Sequence, residues 1–341
     1  MSDKPKVWYW PPRSHTERVF RPEHFQALLE EFDVTVNELD RNLTTEEIEE
    51  GIEEYDAIIT GWGSPSFSAT ALEKAERLKI VAHSAGSVKF LFPDDLVQRY
   101  LLPRGIVVFS ARHAIALNVA ESTVGLLIMT ARRWPDFIIN FRETGRWRPE
   151  GVPTNGQFLR GCKLGIISAS AVGREVIRLL QGWDIHFLVY DPYLSEEEAE
   201  KLGVEKVELN ELFERADHVT IHAPTTPETE KMIGAEQLKR LRDGAALINT
   251  ARGWVLDHDA LYEEAKTGRI LVALDVTTPE PLPPDSPLRS LPNVYITPHV
   301  AGAGYYGYFK IGEGTLRALR DFFAGRPVKG AVDLSRWEQM A

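Results

Sequence analysis

Residues 165–175 read GIISASAVGRE: an apolar run, a turn of small residues, and the opening of an amphipathic segment that continues as VGREVIRLL over 172–180. This is the grammar of the strand–turn–helix that carries a dinucleotide, whose fingerprint is G-x-G-x-x-G. Each glycine there has its own task. The first permits the tight turn, the second lets the backbone approach a pyrophosphate, and the third allows the helix to pack close to the strand. Here Gly173 is the third, while Ser168 and Ser170 stand where the other two belong. A Cβ makes a positive φ costly, so the turn is altered at the positions where freedom matters most. A second apolar run, HFLVYD, ends at Asp191, 18 residues past Gly173. That is close to the spacing at which a carboxylate meets an adenosine ribose. Such an acid accepts from ribose hydroxyls and repels a 2′-phosphate, which favours NAD over NADP. Asp191 could equally cap a turn ahead of Pro192, so this stretch alone leaves cofactor binding open.

The same alternation extends in both directions. KVWYW (6–10), VTVNEL (34–39), AIITGW (57–62), KIVAHSA (79–85) and IVVFSA (106–111) read as strands. PEHFQALLEEF and SATALEKAERL read as helices between them, the latter capped by Ser68. A long helical segment runs from about Asn118 to Arg133, and GVPTNGQFLRG (151–161) reads as a loop. Then KLGIIS, HFLVYD, HVTIHA, AALINT, ILVALDV and VYITP restart the strand pattern. The tail is helical again from about Tyr305. Strands alternating with helices imply parallel sheets covered on both faces. The expected fold is therefore α/β, with two doubly wound parallel-sheet domains. The first comprises residues 1–112 plus 305–341, and the second residues 113–304.

Bulk properties narrow the function. The chain has 341 residues, is 43% hydrophobic and carries a formal net charge of −11. No sustained basic run offsets that charge, so neither nucleic acid nor an anionic membrane surface is an expected partner. The best apolar stretch, VGLLIM (124–129), is too short for a membrane span. The N-terminal MSDKPKVWYWPP lacks the apolar run of a secretory signal. A single cysteine, Cys162, fits a reducing compartment and reads as a small inert residue. A cytoplasmic protein is the expectation.

Three strand ends in the second half carry chemistry. LINTARG places Arg252 just after an apolar run, LVALDVTTPEP places Asp275 and Glu280 after another, and VYITPHVAG places His299 after a third. In a parallel sheet these ends share one edge, where ligands of open α/β sheets bind. Each residue alone also has a plain structural reading, as surface charge or local backbone partner. Their common placement is what points to catalysis.

LRGCKLGII, VYDPYLS, HAPTTPETEKMIG, LINTARG, ALDVTTPEPLP and NVYITPHVAG follow one another in this order. In this they resemble the blocks of the D-isomer-specific 2-hydroxyacid dehydrogenases, most strongly over residues 159–302. The resemblance implies a flavodoxin-like substrate domain, a Rossmann cofactor domain and a homodimer. It implies NAD as cofactor, no metal, and a small 2-oxo or 2-hydroxy acid as substrate. The family's arginine, glutamate and histidine fall on Arg252, Glu280 and His299. Cofactor contacts would come from Ser170, Ala171, Val172 and Gly173 at the pyrophosphate and Asp191 at the ribose. Ala223 and Pro224 would border the adenine, and Thr250, Ala251, Asp275, Ala301 and Gly302 the nicotinamide. HSAGSVK resembles the substrate-carboxylate loop, with Ala85 and Gly86 giving backbone N–H groups beside Arg252; the family's G-V-D-N continuation is absent. In the implied chemistry Arg252 binds carboxylate and carbonyl together, His299 is general acid or base, and Glu280 holds the imidazole and favours its charged form. The competing expectation is an NAD(H)-sensing regulatory protein, resembling the corepressors that keep this fold; the altered glycine turn is its support.

Overall fold

Short runs rich in β-branched and aromatic residues form the strands of the first sheet: β1 (Lys6–Tyr9), β2 (Asp33–Val36), β3 (Ala57–Thr60), β4 (Ile80–His83) and β5 (Val107–Ser110). The computed structural model, which describes residues 4–152, 154 and 156–339, pairs them all in parallel in the order β2-β1-β3-β4-β5. Side chains alternate between faces along each strand. Trp8, Trp10, Ile58, Val81 and Val108 accordingly join one core with Ile48, Leu72 and Leu91. Val7, Tyr9, Ile59 and Ala82 join the other with Leu28, Ile311 and Leu319. The last two come from the C-terminal helix Tyr305–Phe323.

The second sheet comprises β6 (Lys163–Ile167), β7 (His186–Tyr190), β8 (Glu205–Lys206), β9 (His218–Ile221), β10 (Ala246–Asn249), β11 (Leu271–Leu274) and β12 (Val294–Ile296). All pair in parallel, in the order β12-β11-β10-β9-β6-β7-β8. Strand order reverses between β6 and β9, the arrangement of a Rossmann sheet, and the first sheet has the flavodoxin-like order. Both are doubly wound, as the alternation of patterns requires.

The compact units are residues 1–118 with 303–341, and residues 119–302. The division falls inside a helix rather than at the expected 112/113 boundary, because no linker exists there. Ser110 Oγ accepts from the backbone N–H of Arg112 at 3.2 Å, so β5 runs directly into the helix Arg112–Ala131. With a mean hydropathy of 1.6 over its best window, this helix is long and apolar enough to cross a membrane, contrary to the expectation that no stretch would be. In the second unit its Ala120, Leu127 and Ala131 pack with Leu164, Ile166 and Val176.

Elements absent from the expected pattern include a helix and a strand of the second unit. The helix Trp134–Thr144 begins where Arg133, at φ +56°, ends the preceding helix and Pro135 starts a new first turn. Strand β8 is two polar residues long and carries no apolar signal. The helix expected over 68–78 is shorter, Ala69–Lys74, with Ser68 capping it as its position suggests. Met1–Asp3, Pro153 and Asn155 of the expected 151–161 loop, and the last two residues lie outside the described residues.

Four buried histidines tie stability to pH. His15 and His83 lie in the first unit, His218 and His222 in the second, none more than 5% exposed. Hydrogen bonds hold them in place: His15 Nε2 to Ser84 Oγ and His83 Nδ1 to Thr60 Oγ1, both 2.8 Å, and His222 Nε2 to Thr220 Oγ1 at 3.1 Å. His218 Nδ1 accepts from the Ala246 N–H at 3.1 Å. Burial pushes His15 and His218 down to about 4, and His83 and His222 to about 3. The unfolded chain therefore binds protons near 6.5 that the folded chain refuses, and stability falls as pH drops below that value. Each histidine contributes a slope of about 1.4 kcal/mol per pH unit between its two pKa values. Thermal unfolding followed at pH 7 and pH 5 should show a marked fall in Tm at the lower pH; equal Tm values would refute this.

Candidate functional site

Parallel pairing places the C-terminal ends of β6, β7, β9, β10, β11 and β12 on one edge of the second sheet. Ser168, Asp191, Ala223, Thr250 and Asp275 follow the first five strands, and His299 follows the last. Residues from 168 to 299 thus meet on one edge, at the reversal point where open α/β sheets bind ligands.

The serine-bearing turn keeps the geometry of the glycine one. Ser168 adopts φ +75°, the conformation the first glycine exists to supply. A Cβ on Gly173 would lie 2.2 Å from the Ser168 carbonyl oxygen, so only glycine fits there. Ser170 has an ordinary φ of −62° and caps the helix Ala171–Leu180, its Oγ accepting from the Gly173 N–H at 3.4 Å. Ala171 and Val172 form the first turn of that helix, where backbone N–H groups lack intrahelical partners and favour anions. Asp191 accepts from Ser168 Oγ at 3.2 Å and the Ala169 N–H at 2.9 Å on Oδ2, and from the Tyr193 N–H at 2.9 Å on Oδ1. A helix N-terminus, a glycine at the close approach and a carboxylate ending the next strand fit a dinucleotide. After β9, Ala223 is buried and the Pro224 carbonyl accepts from Thr229 Oγ1 at 2.7 Å. Trp254 Nε1 donates to the Thr226 carbonyl in the same loop at 3.2 Å, which ties the turn after β10 to that loop.

After β10, the fully buried Asn249 shapes the turn. Its Oδ1 accepts from the Ala251 N–H at 3.0 Å and its Nδ2 donates to the Arg252 carbonyl at 2.9 Å. A Cβ on Gly253 would lie 2.1 Å from the Thr277 carbonyl carbon, so glycine is required for the β10 and β11 loops to touch. Between them Arg252 is exposed, with Nη1 donating to the Ala251 carbonyl at 2.7 Å. Partial desolvation lowers its pKa from the usual arginine value and the Glu280 charge opposes the shift. It stays cationic throughout the working pH range.

His299 sits at φ +53° with Nδ1 2.5 Å from Glu280 Oε1, and both side chains remain accessible, at 49% and 41%. An ionised carboxylate only accepts, so Nδ1 carries the proton of this pair and Nε2 is the nitrogen left to exchange one. Asp275, 2% exposed, braces the segment. It accepts from Thr297 Oγ1 at 2.6 Å and the Val300 N–H at 2.9 Å on Oδ1, and from the Ala301 N–H at 2.8 Å on Oδ2. The Ala301 carbonyl accepts from Ser122 Oγ at 2.9 Å, and Thr123 Oγ1 lies 2.7 Å from Thr250 Oγ1. Gly302 ends this unit. Asn249, Ser122 and Thr123 were not singled out in the sequence; the polar residues interrupting the apolar pattern were the available signal. In the first unit Ala85 and Gly86 follow β4, Ala85 buried and the Gly86 carbonyl accepting from Ser110 Oγ at 2.5 Å.

Comparison with known proteins follows the same lines. Residues 124–301 match the model of the D-isomer specific 2-hydroxyacid dehydrogenase NAD binding domain. The chain is 36% identical over 280 residues to a D-3-phosphoglycerate dehydrogenase of Methanocaldococcus jannaschii, covering 82% of this chain and 52% of that one. A glyoxylate reductase of Korarchaeum cryptofilum is 36% identical over 81% of this chain and 82% of its own. A solved phosphoglycerate oxidoreductase from Rhizobium etli superposes with a TM-score of 0.80 at 26% identity, covering 96% and 98% of the two chains. The chain spans about half the length of the first curated relatives it matches, the D-3-phosphoglycerate dehydrogenases.

Replacing Asp275 by Asn puts an amide donor against backbone and hydroxyl donors in a buried place. A loss of about 1–3 kcal/mol of stability is expected, the cost of a buried unsatisfied group. Denaturant unfolding checks it; a midpoint equal to the parent's would show that the brace is dispensable.

Proposed function

The chain belongs to the D-isomer specific 2-hydroxyacid dehydrogenase family, and we propose that it transfers a hydride between NAD(H) and C2 of a 2-oxo or 2-hydroxy acid. The carrying observation is the 2.5 Å contact of His299 with Glu280 on the edge that also bears Arg252 and the dinucleotide turn. Ser170, Ala171, Val172 and Gly173 would hold the pyrophosphate, and Asp191 the ribose. Ala223 and Pro224 would border the adenine, and Thr250, Ala251, Asp275, Ala301 and Gly302 the nicotinamide. The nicotinamide supplies the hydride chemistry. The protein's part is binding, orientation and the proton. Arg252, a planar fork of donors, suits a carboxylate and the neighbouring carbonyl oxygen together. His299 Nε2 gives the proton to the new alkoxide on reduction and takes it on oxidation. Glu280 fixes the tautomer. We assign the cofactor to the second unit.

The relatives named above are dehydrogenases, reductases and oxidoreductases, and none favours a purely regulatory role. Glyoxylate, hydroxypyruvate and, in the oxidative direction, D-3-phosphoglycerate are the substrates to try first. NADH consumption should be followed with the parent and with His299→Ala. The variant should lose roughly 10²–10⁴-fold in kcat, the usual worth of a general acid, while NADH binds as before. Loss of NADH affinity with turnover kept would reverse the assignment. Glu280→Gln should lower kcat with little change in KM.

A homodimer is part of the same proposal. Trp134, Ile138, Phe141, Trp147 and Phe158 of the second unit are all 48% exposed or more, a clustering of large apolar side chains in sequence that single monomers seldom leave uncovered. A second copy of the chain is the occupant we assign. Light scattering of Ile138→Glu/Phe141→Glu should give the monomer mass where the parent gives the dimer; a monomeric parent would refute it. We place the protein in the cytoplasm, in keeping with a single cysteine, Cys162.

A further inference from the structure

Ser168 holds a backbone conformation that suits glycine, and its hydroxyl is tied to the carboxylate that the cofactor reading needs. A carboxylate offers about four acceptor positions, two on each oxygen. On Asp191 Oδ2 both are taken, by Ser168 Oγ–H at 3.2 Å and by the Ala169 N–H at 2.9 Å. On Oδ1 one is taken by the Tyr193 N–H at 2.9 Å. One position remains, whereas a ribose brings two hydroxyl donors. Two of the three resident donors are backbone and fixed by the fold. Ser168 Oγ is the only one that a side chain supplies, and a glycine at 168 would not supply it. Ser170 is a different case: its φ is ordinary and its hydroxyl serves its own helix, so that replacement is a cap.

We propose that Ser168 is a tuning residue for the dinucleotide: by occupying one acceptor position of Asp191 it leaves the adenosine ribose a single hydrogen bond to that carboxylate, and it sets the affinity for NAD(H) below what glycine at 168 would give. This rests on the NAD(H) reading above. The consequence is a cofactor held by its pyrophosphate and rings more than by its ribose diol, and released the more readily.

The test is calorimetric titration of the full chain, as parent, Ser168→Ala and Ser168→Gly, with NADH, ADP and 2′-deoxy-ADP. The alanine variant removes the hydroxyl and keeps the Cβ at positive φ; the glycine variant removes both. The parent should bind ADP and 2′-deoxy-ADP almost equally, because one free position accepts one hydroxyl from either. Both variants should bind NADH and ADP about threefold to tenfold more tightly, the range of one net hydrogen bond, and 2′-deoxy-ADP no more tightly than the parent does. ADP binding unchanged or weakened in the variants overturns the proposal and leaves the cofactor site standing. An equal gain for ADP and its deoxy analogue also overturns it, because relaxation of the turn would then be the cause. A parent that binds neither NADH nor ADP overturns the NAD(H) reading, and the proposal falls with it.

Discussion

Asp275 receives three hydrogen bonds where almost no water reaches it, and the position of His299 follows from them. The His299 N–H donates to the Asp275 carbonyl at 2.8 Å, while the carboxylate gathers the residues on either side of the histidine. A buried charge is tolerated only when its acceptor positions are filled. Here the groups that fill them are those of the turn from 297 to 301. The demand of one carboxylate for donors thus becomes a constraint on a backbone, and that backbone holds an imidazole at a positive φ against Glu280.

The neighbouring loops rest on the same kind of economy. Gly253 gives up a side chain so that the turn after β10 can touch Thr277, just ahead of the Glu280 segment. Asn249 shapes that turn from beneath, and the helix Arg112–Ala131 braces it through Thr123 and the histidine segment through Ser122. Hydroxyl and amide side chains on rigid elements therefore fix the two loops that carry Arg252 and His299. Rigid support of this kind is what keeps reacting groups in register.

Much of this was legible in the sequence. The alternation of apolar runs with amphipathic stretches specified two parallel sheets, because covered parallel strands leave a strong local signal. The shared placement of Arg252, Glu280 and His299 was legible too, since residues past parallel strand ends share an edge. What was hidden depends on partners. Nothing in LVALDV says that Asp275 will face donors from residues 297–301, and nothing in LINTARG says that Asn249 will bridge Ala251 and Arg252. Strand β8 is too short and polar to register. The helix after Pro135 was masked by a proline that reads as a breaker but serves as a first-turn residue. The limit between the domains leaves no compositional trace, because β5 runs into the helix Arg112–Ala131 without a linker.

Strand β12 is three residues long, lies at the edge of its sheet and pairs with β11 alone. It is also the strand from which His299 hangs. Edge strands with few partners open at lower cost than the centre of a sheet, so the segment that carries His299 is expected to open before the rest of the seven-stranded core. The Asp275 brace, which ties the turn from 297 to 301 to the end of β11, is what holds this edge in place.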